Sequence, residues 1–172
     1  DALVWVAGQV GDWQSLAQGS WATAIEIGYQ LPDLWSAPWL RAGFFKSSGD
    51  GDPTDHDHGT FFQLIPTARL YALTPFYNLM NNQDTFVQLI AKPLANVSVR
   101  SDFHWLQVSK GEDILYSGGG ATKQDFFGYG GTAAGGDRQV GYVTEIGVSW
   151  KPLPVLELAG YYGHAFWGAV VR

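Results

Sequence analysis

Apolar residues alternate with small or polar ones along several segments of this chain. From Trp21 to Tyr29, the residues Trp21, Thr23, Ile25, Ile27 and Tyr29 share one face, and Ala22, Ala24, Glu26 and Gly28 share the other. Val97 to Trp105 repeats the pattern, with Val97, Val99, Phe103 and Trp105 opposing Ser98, Arg100, Asp102 and His104. From Tyr142 to Trp150, the residues Tyr142, Thr144, Ile146, Val148 and Trp150 oppose Glu145, Gly147 and Ser149. Period two is the signature of a strand with one apolar face. Extended to the rest of the chain, the pattern predicts about seven strands, near residues 2–10, 21–29, 39–47, 84–92, 97–108, 141–151 and 154–167.

The connections differ in length. Lys92-Pro93-Leu94-Ala95-Asn96 and Lys151-Pro152-Leu153-Pro154 read as tight turns, and Gln30 to Pro38 is fairly short. Long stretches lie near 48–83 and 109–140. The second contains Gly118-Gly119-Gly120 and Gly130-Gly131 and carries no strand or helix pattern. Thr67 to Asn81 has room for a short helix, which Pro75 interrupts. Short turns at one end and long loops at the other is the layout of an outer-membrane barrel. In a compact soluble domain, two such loops would count against the strands. The aromatics sort by strand end. Tyr29, Trp35, Trp39 and Trp150 fall beside short turns, and Trp21, Trp105, Tyr142, Phe166 and Trp167 beside long loops. Two belts suit the two interfaces of a bilayer.

Composition favours the same class. Charged residues make up 15% of the 172, against about 25% in soluble domains. Yet no run approaches the roughly 18 apolar residues of a transmembrane helix. A chain poor in charge, without long apolar runs, fits strands that put apolar residues toward lipid and polar ones toward a lumen. On that reading Ile25, Ile27, Val99, Phe103, Ile146 and Val148 face lipid, and Glu26, Arg100, Asp102 and Glu145 face inward. There is no cysteine, so neither disulfides nor thiolate metal sites hold the fold. The net charge of −6 argues against a nucleic-acid partner. The N-terminus Asp1-Ala2-Leu3-Val4 lacks a basic region and a long apolar run, as expected of a mature or truncated chain.

The segment from Phe44 to Leu89 carries a longer signature. Ser47-Ser48-Gly49-Asp50 closes an extended segment, and an acidic loop with Pro53 follows. Thr60-Phe61-Phe62 and Leu64-Ile65-Pro66-Thr67 come next, then Asn81-Asn82-Gln83-Asp84 opens a new extended segment. That order resembles the alginate-export family of bacterial outer-membrane β-barrels, strongly over about a quarter of the chain. The resemblance implies a place near the C-terminal part of an antiparallel up-and-down transmembrane barrel. Barrels of that family are large, with about eighteen strands, within the range that outer-membrane barrels cover. Seven strands would leave edges unpaired in lipid. The expectation is therefore an all-β chain, residues 1–172 as one partial barrel domain, that needs further strands of the same protein or of a partner to close. Long extracellular loops are expected near 48–83 and 109–140.

The candidate pore-lining residues are Glu26, Arg41, Gln88, Lys92, Arg100, Asp102, His104, Glu145 and Glu157. Rings of charge in a pore select by sign. The resemblance implies a strongly basic pore suited to a polyuronate, whereas these residues carry both signs. They can equally pair across neighbouring strands. Asp50, Asp52, Asp55 and Asp57 supply hard oxygens that could hold Ca²⁺, although their spacing is not that of an EF-hand. A solvated acidic loop is the plainer reading. His56 and His58 form an H-x-H pair, a minimal transition-metal motif. No catalytic signature of the G-x-S-x-G, H-E-x-x-H or P-loop type occurs. His104 or His164 with a nearby serine could serve catalysis, but His104 reads more simply as a polar lumen residue.

These readings lead to a non-enzymatic outer-membrane channel for passive export or diffusion of a hydrophilic, anionic, polysaccharide-like solute. It needs no cofactor, and its surroundings are membrane lipid and lipopolysaccharide. Two alternatives remain at this level: a porin-like barrel sheathing a partner protein, as an electron conduit or general porin, and a soluble carbohydrate-binding β-sandwich or barrel.

Overall fold

The structure is a computed structural model that describes residues 1–64, 71–74, 76–118 and 129–172. Ile65, Pro66, Thr67, Pro75, Gly119 and Gly120, singled out above, lie outside these residues. Seven long strands form one antiparallel meander. They are β1 (Ala2–Trp13), β2 (Leu16–Gln30), β3 (Trp39–Ser47), β5 (Asn82–Leu94), β6 (Val97–Val108), β9 (Gln139–Leu153) and β10 (Leu156–Trp167), each hydrogen-bonded to the next in that order. The sheet does not close on itself: among the described residues β1 pairs only with β2, and β10 only with β9. This is the all-β, seven-strand arrangement the alternation calls for, and it is consistent with part of a barrel.

Several strands run further than the pattern indicated. β1 and β2 continue to the Trp13↔Leu16 pair and turn through Gln14, whose φ is 58°. The glycines and glutamines of this hairpin hide the alternation there. At the far end β5 runs through Pro93 to Leu94, with an irregular register between Ala91 and Leu94. A bulge is where a strand tolerates proline. The turns proper are Ala95-Asn96 and Pro154-Val155, set by the Leu94↔Val97 and Leu153↔Leu156 pairs.

The two long connections leave the same end of the sheet and are tied together. Residues 48–81 contain β4 (Asp57–His58), which pairs in parallel with Ala17 and Gln18 of the β1–β2 hairpin. The described part of 109–138 is not structureless: β7 (Ile114–Gly118) and β8 (Tyr129–Ala133) pair as an antiparallel hairpin. Asn81 joins the two connections, donating from Nδ2 to Lys110 O and Ile114 O, both at 3.0 Å, and accepting from Lys110 N at 2.8 Å. Asp113 does the same, accepting from Asp50 N at 2.9 Å and from Thr60 Oγ1 at 2.5 Å. Glycines permit close backbone approach within each connection: a Cβ at Gly59 would press on Gly49 O, and one at Gly111 would collide with Gly136 O. No helix occurs in the described part of 67–81; the chain there makes bends.

The two faces of the sheet differ in the way the alternation implies. Ile25, Ile27, Phe103, Ile146 and Val148 are exposed on one face, between 43% and 65%. Glu26, Gln88, Asp102 and Glu145 lie on the other face at 4% exposure or less. What covers that polar face is chain: residues from 60–64, 71–74 and 76–81 fold across it. They pack Phe61, Tyr71 and Leu79 onto Ala22, Ala24, Phe45 and Phe86. A second cluster sets Ala72 and Tyr77 among Leu106, Val108, Val140 and Val143. The inner face is thus apolar and filled toward the long loops, polar midway, and open toward the short turns.

Candidate functional site

Register places the polar side chains in one line. Gly28 pairs with Arg41, Arg41 with Gln88, Gln88 with Asp102, Asp102 with Glu145, and Glu145 with Gly163. Directly paired residues share a face, so this single row crosses six strands on the inner side. Glu26 and His104 stand two residues along from Gly28 and Asp102 and share that face.

Most of the row is engaged in hydrogen bonds. Arg41 pairs with Glu26 through Nη2 and donates from Nη1 to Gln88 Oε1 at 2.7 Å. Its guanidinium also lies 4.9 Å from the centre of the Trp39 ring. Arg100 Nε donates to Asp102 Oδ2 at 2.6 Å, and Nη2 to Tyr71 O at 2.7 Å. Glu145 accepts the backbone amides of Leu73 and Thr74, each at 2.6 Å. His104 Nδ1 lies 3.0 Å from Asp84 Oδ2, which also accepts from Tyr77 OH at 3.0 Å. The charges therefore do two things: they pair across strands, and they fasten Tyr71, Leu73, Thr74 and Tyr77 to the sheet wall. Gly147 and Gly163 leave the room this takes, since a Cβ at Gly163 would collide with Thr74 Oγ1 and one at Gly147 would press on Leu73.

Of the nine candidate residues, the row gathers Glu26, Arg41, Gln88, Arg100, Asp102, His104 and Glu145. Lys92 and Glu157 stand apart at the short-turn end, both exposed, where Glu157 accepts from Ser149 and pairs with Lys151 at 3.1 Å. Open grooves flank the sealed middle. One is lined by Glu26, Trp39 and Arg41, the other by Ile90, Ser98, Arg100, Ser149 and Tyr161. Sequence reasoning missed Asp84, Tyr71 and Tyr77. Asp84 was within reach, because it shares the parity of Gln88 on β5. The tyrosines belong to an aperiodic segment and gave no such signal.

The acidic loop uses its carboxylates locally. Asp50 Oδ1 accepts from Asp52 N at 3.1 Å, Asp52 Oδ1 from Thr54 N at 3.0 Å, and Asp55 Oδ1 from Asp57 N at 2.8 Å. The Thr54 hydroxyl and then its amide hold the Asp52 carboxyl below the usual range. The described trio of ligand-type side chains whose donor atoms lie within 4.8 Å of one another is Asp102, His104 and Glu145, not the loop aspartates. His58 stacks on Trp13 at 4.8 Å and meets Gln18 Oε1 through Nδ1 at 2.5 Å. His164 is exposed and packs edge-on against Phe166.

Two of the aromatics assigned to belts turn inward. Trp39 packs on Arg41, and Trp167 meets Phe76 edge-on at 5.0 Å. They share the parity of inner-face residues, which the position of a residue near a strand end does not reveal. Trp105, Tyr142 and Phe166 do form a continuous outer row through direct register pairs. Trp150 lies eight residues further along β9, about 26 Å at roughly 3.3 Å per residue. With the usual strand tilt this projects to about 20 Å, slightly less than the apolar band of about 25 Å typical of such barrels.

No curated relative and no solved structure matches the chain. The sequence model of a family described as alginate export does match, over residues 3–172. With nearly every residue covered, and with an antiparallel meander that is apolar outside and polar inside, the chain belongs to the alginate-export family.

Proposed function

We propose that this chain forms part of the wall of an outer-membrane channel through which a hydrophilic, anionic, polysaccharide-like solute passes passively. The family is one of polysaccharide export rather than of catalysis, and it is typically associated with the outer membrane. One observation carries the finer reading: the face that bears Glu26, Arg41, Gln88, Arg100, Asp102 and Glu145 is the enclosed one, while Ile25, Ile27, Ile146 and Val148 are turned outward. Water would penalise that outward face at about 25 cal/mol per Å² of apolar surface; lipid does not. Residues 60–64, 71–74 and 76–81 narrow the lumen from one side, and the long connections 48–81 and 109–138 lie on the extracellular side. The arginines beside the open grooves supply positive potential on the path, focused by low-dielectric walls.

The test is conductance and reversal potential of the full-length protein in a planar bilayer. Replacing Arg100 by Glu is expected to shift ion preference toward cations and to slow polyanion passage. The effect should shrink at 1 M salt, where the Debye length falls to about 3 Å. An unchanged reversal potential in the Arg41, Lys92 and Arg100 single variants and in the triple variant would place selectivity elsewhere.

A further inference from the structure

We propose that Asp102, His104 and Glu145 form a binding site for a divalent first-row transition ion. One ligand-type atom from each lies within 4.8 Å of the others. The strand pattern builds this cluster. Asp102 and Glu145 are direct register partners, and His104 follows Asp102 on the same face. His104 is 0% and Asp102 4% exposed. His104 Nε2 and Asp102 Oδ1 are both buried without a hydrogen-bond partner among the described residues. Leaving such groups unsatisfied costs about 1–3 kcal/mol each. A cation between them would satisfy both.

The surroundings suit an ion. His104 Nδ1 is held by Asp84 at 3.0 Å, and Asp84 in turn by Tyr77 OH at 3.0 Å. A carboxylate on one ring nitrogen keeps the proton there and turns the lone pair of the other outward, the arrangement that metal-ligating histidines adopt. Asp84, Asp102 and Glu145 bring three carboxylates to one guanidinium, that of Arg100 on Asp102 Oδ2. A dication offsets the excess. One imidazole and two carboxylates suit Zn²⁺ or a neighbouring first-row ion, whereas Ca²⁺ and Mg²⁺ favour all-oxygen shells. Glu145 already holds the amides of Leu73 and Thr74, so the ion would staple that segment to β6 and β9. The site does not depend on what the channel carries.

The experiment uses the full-length protein in detergent, stripped with chelator and titrated with Zn²⁺ by calorimetry and equilibrium dialysis. One Zn²⁺ should bind at this site. Its affinity should fall at least 100-fold in His104→Ala and about 10-fold in Asp84→Asn, as expected for a ligand and for the group that orients it. A His56→Ala/His58→Ala double variant should bind as the wild type does. Should His104→Ala fail to fold, Asp102→Asn carries the same expectation. Zn²⁺ should also slow hydrogen exchange at Leu73 and Thr74 in the wild type. Uptake unchanged in folded His104→Ala or Asp102→Asn, uptake lost with His56 and His58, no saturable uptake, or no added protection at Leu73 and Thr74 would each overturn the proposal.

Discussion

Asn81 shows how much one side chain carries. It is fully buried, has φ of 48°, and makes three hydrogen bonds that join the two long connections. Asn81→Ala removes all three and leaves alanine in a left-handed backbone region that costs it about 1 kcal/mol and that asparagine tolerates better. With the unsatisfied partners added, the loss should reach about 2–4 kcal/mol, read as a lower denaturation midpoint in detergent. Asn81→Gly keeps the backbone and should lose about 1 kcal/mol less. His58 gives a pH signature at the same scale. Burial pushes its ring below the usual histidine value of 6.5, and the nearby Asp50 and Asp113 charges only partly oppose this. The unfolded chain then binds the proton more readily than the folded one. The stabilisation is therefore complete above pH 6.5 and falls as pH drops through that value, levelling off once the folded ring protonates too. The wild type should lose more thermal stability between pH 7 and pH 5 than His58→Phe does, and equal losses would show that the ring does not contribute.

The segment over the inner face and the strands beneath it fit each other. Gly163 on β10 is a tight point of contact, because a Cβ there would collide with Thr74 Oγ1. Gly163→Val should displace residues 71–74 from Glu145 at a cost of about 1–3 kcal/mol. A cysteine at Leu73 should then label faster, and single-channel conductance should rise; unchanged labelling would mean that the segment is held elsewhere. Strand facing is tested by cysteine probes. Positions 25 and 146 should report lipid, and positions 26 and 145 an aqueous or protein interior. Water access at Ile25 and Ile146 with lipid access at Glu26 and Glu145 would sink the membrane reading in favour of a soluble barrel. The long strands, and which of their residues share a face, were legible because period two survives in Trp21–Tyr29, Val97–Trp105 and Tyr142–Trp150. The β7–β8 hairpin was not, because Gly118, Gly130 and Gly131 carry no side chain with which to alternate.

At the scale of the molecule, the accessible surface is 10088 Å², against about 8,300 Å² expected for a compact monomer of this mass. The excess fits an open sheet with its apolar side uncovered. The chain should accordingly need detergent or lipid to stay monodisperse, and solubility without either would contradict the outward-facing reading. Protease added to whole cells should cut the long connections, near Gly135, and spare Pro93-Leu94 and Pro152-Leu153. Cleavage reached only from the periplasm would reverse the orientation proposed for them.

By itself the sequence determined the seven long strands, the residues that share each of their faces and the candidate charges, since alternation is a local property that each of these strands carries in its own residues. It also carried the family, in the run from Ser47 to Asp84. It left open whether the charges line free lumen or pair. Only the tertiary structure decided that, because register aligns Arg41, Gln88, Asp102 and Glu145 from four strands, Arg41 pairs with Glu26 and Gln88, Asp102 pairs with Arg100, and the inward segment takes up hydrogen bonds of Glu145 and Arg100. Register and the docking of an aperiodic segment are set by contacts between residues as far apart in the chain as Leu73 and Glu145. No pattern along the chain encodes such a pair.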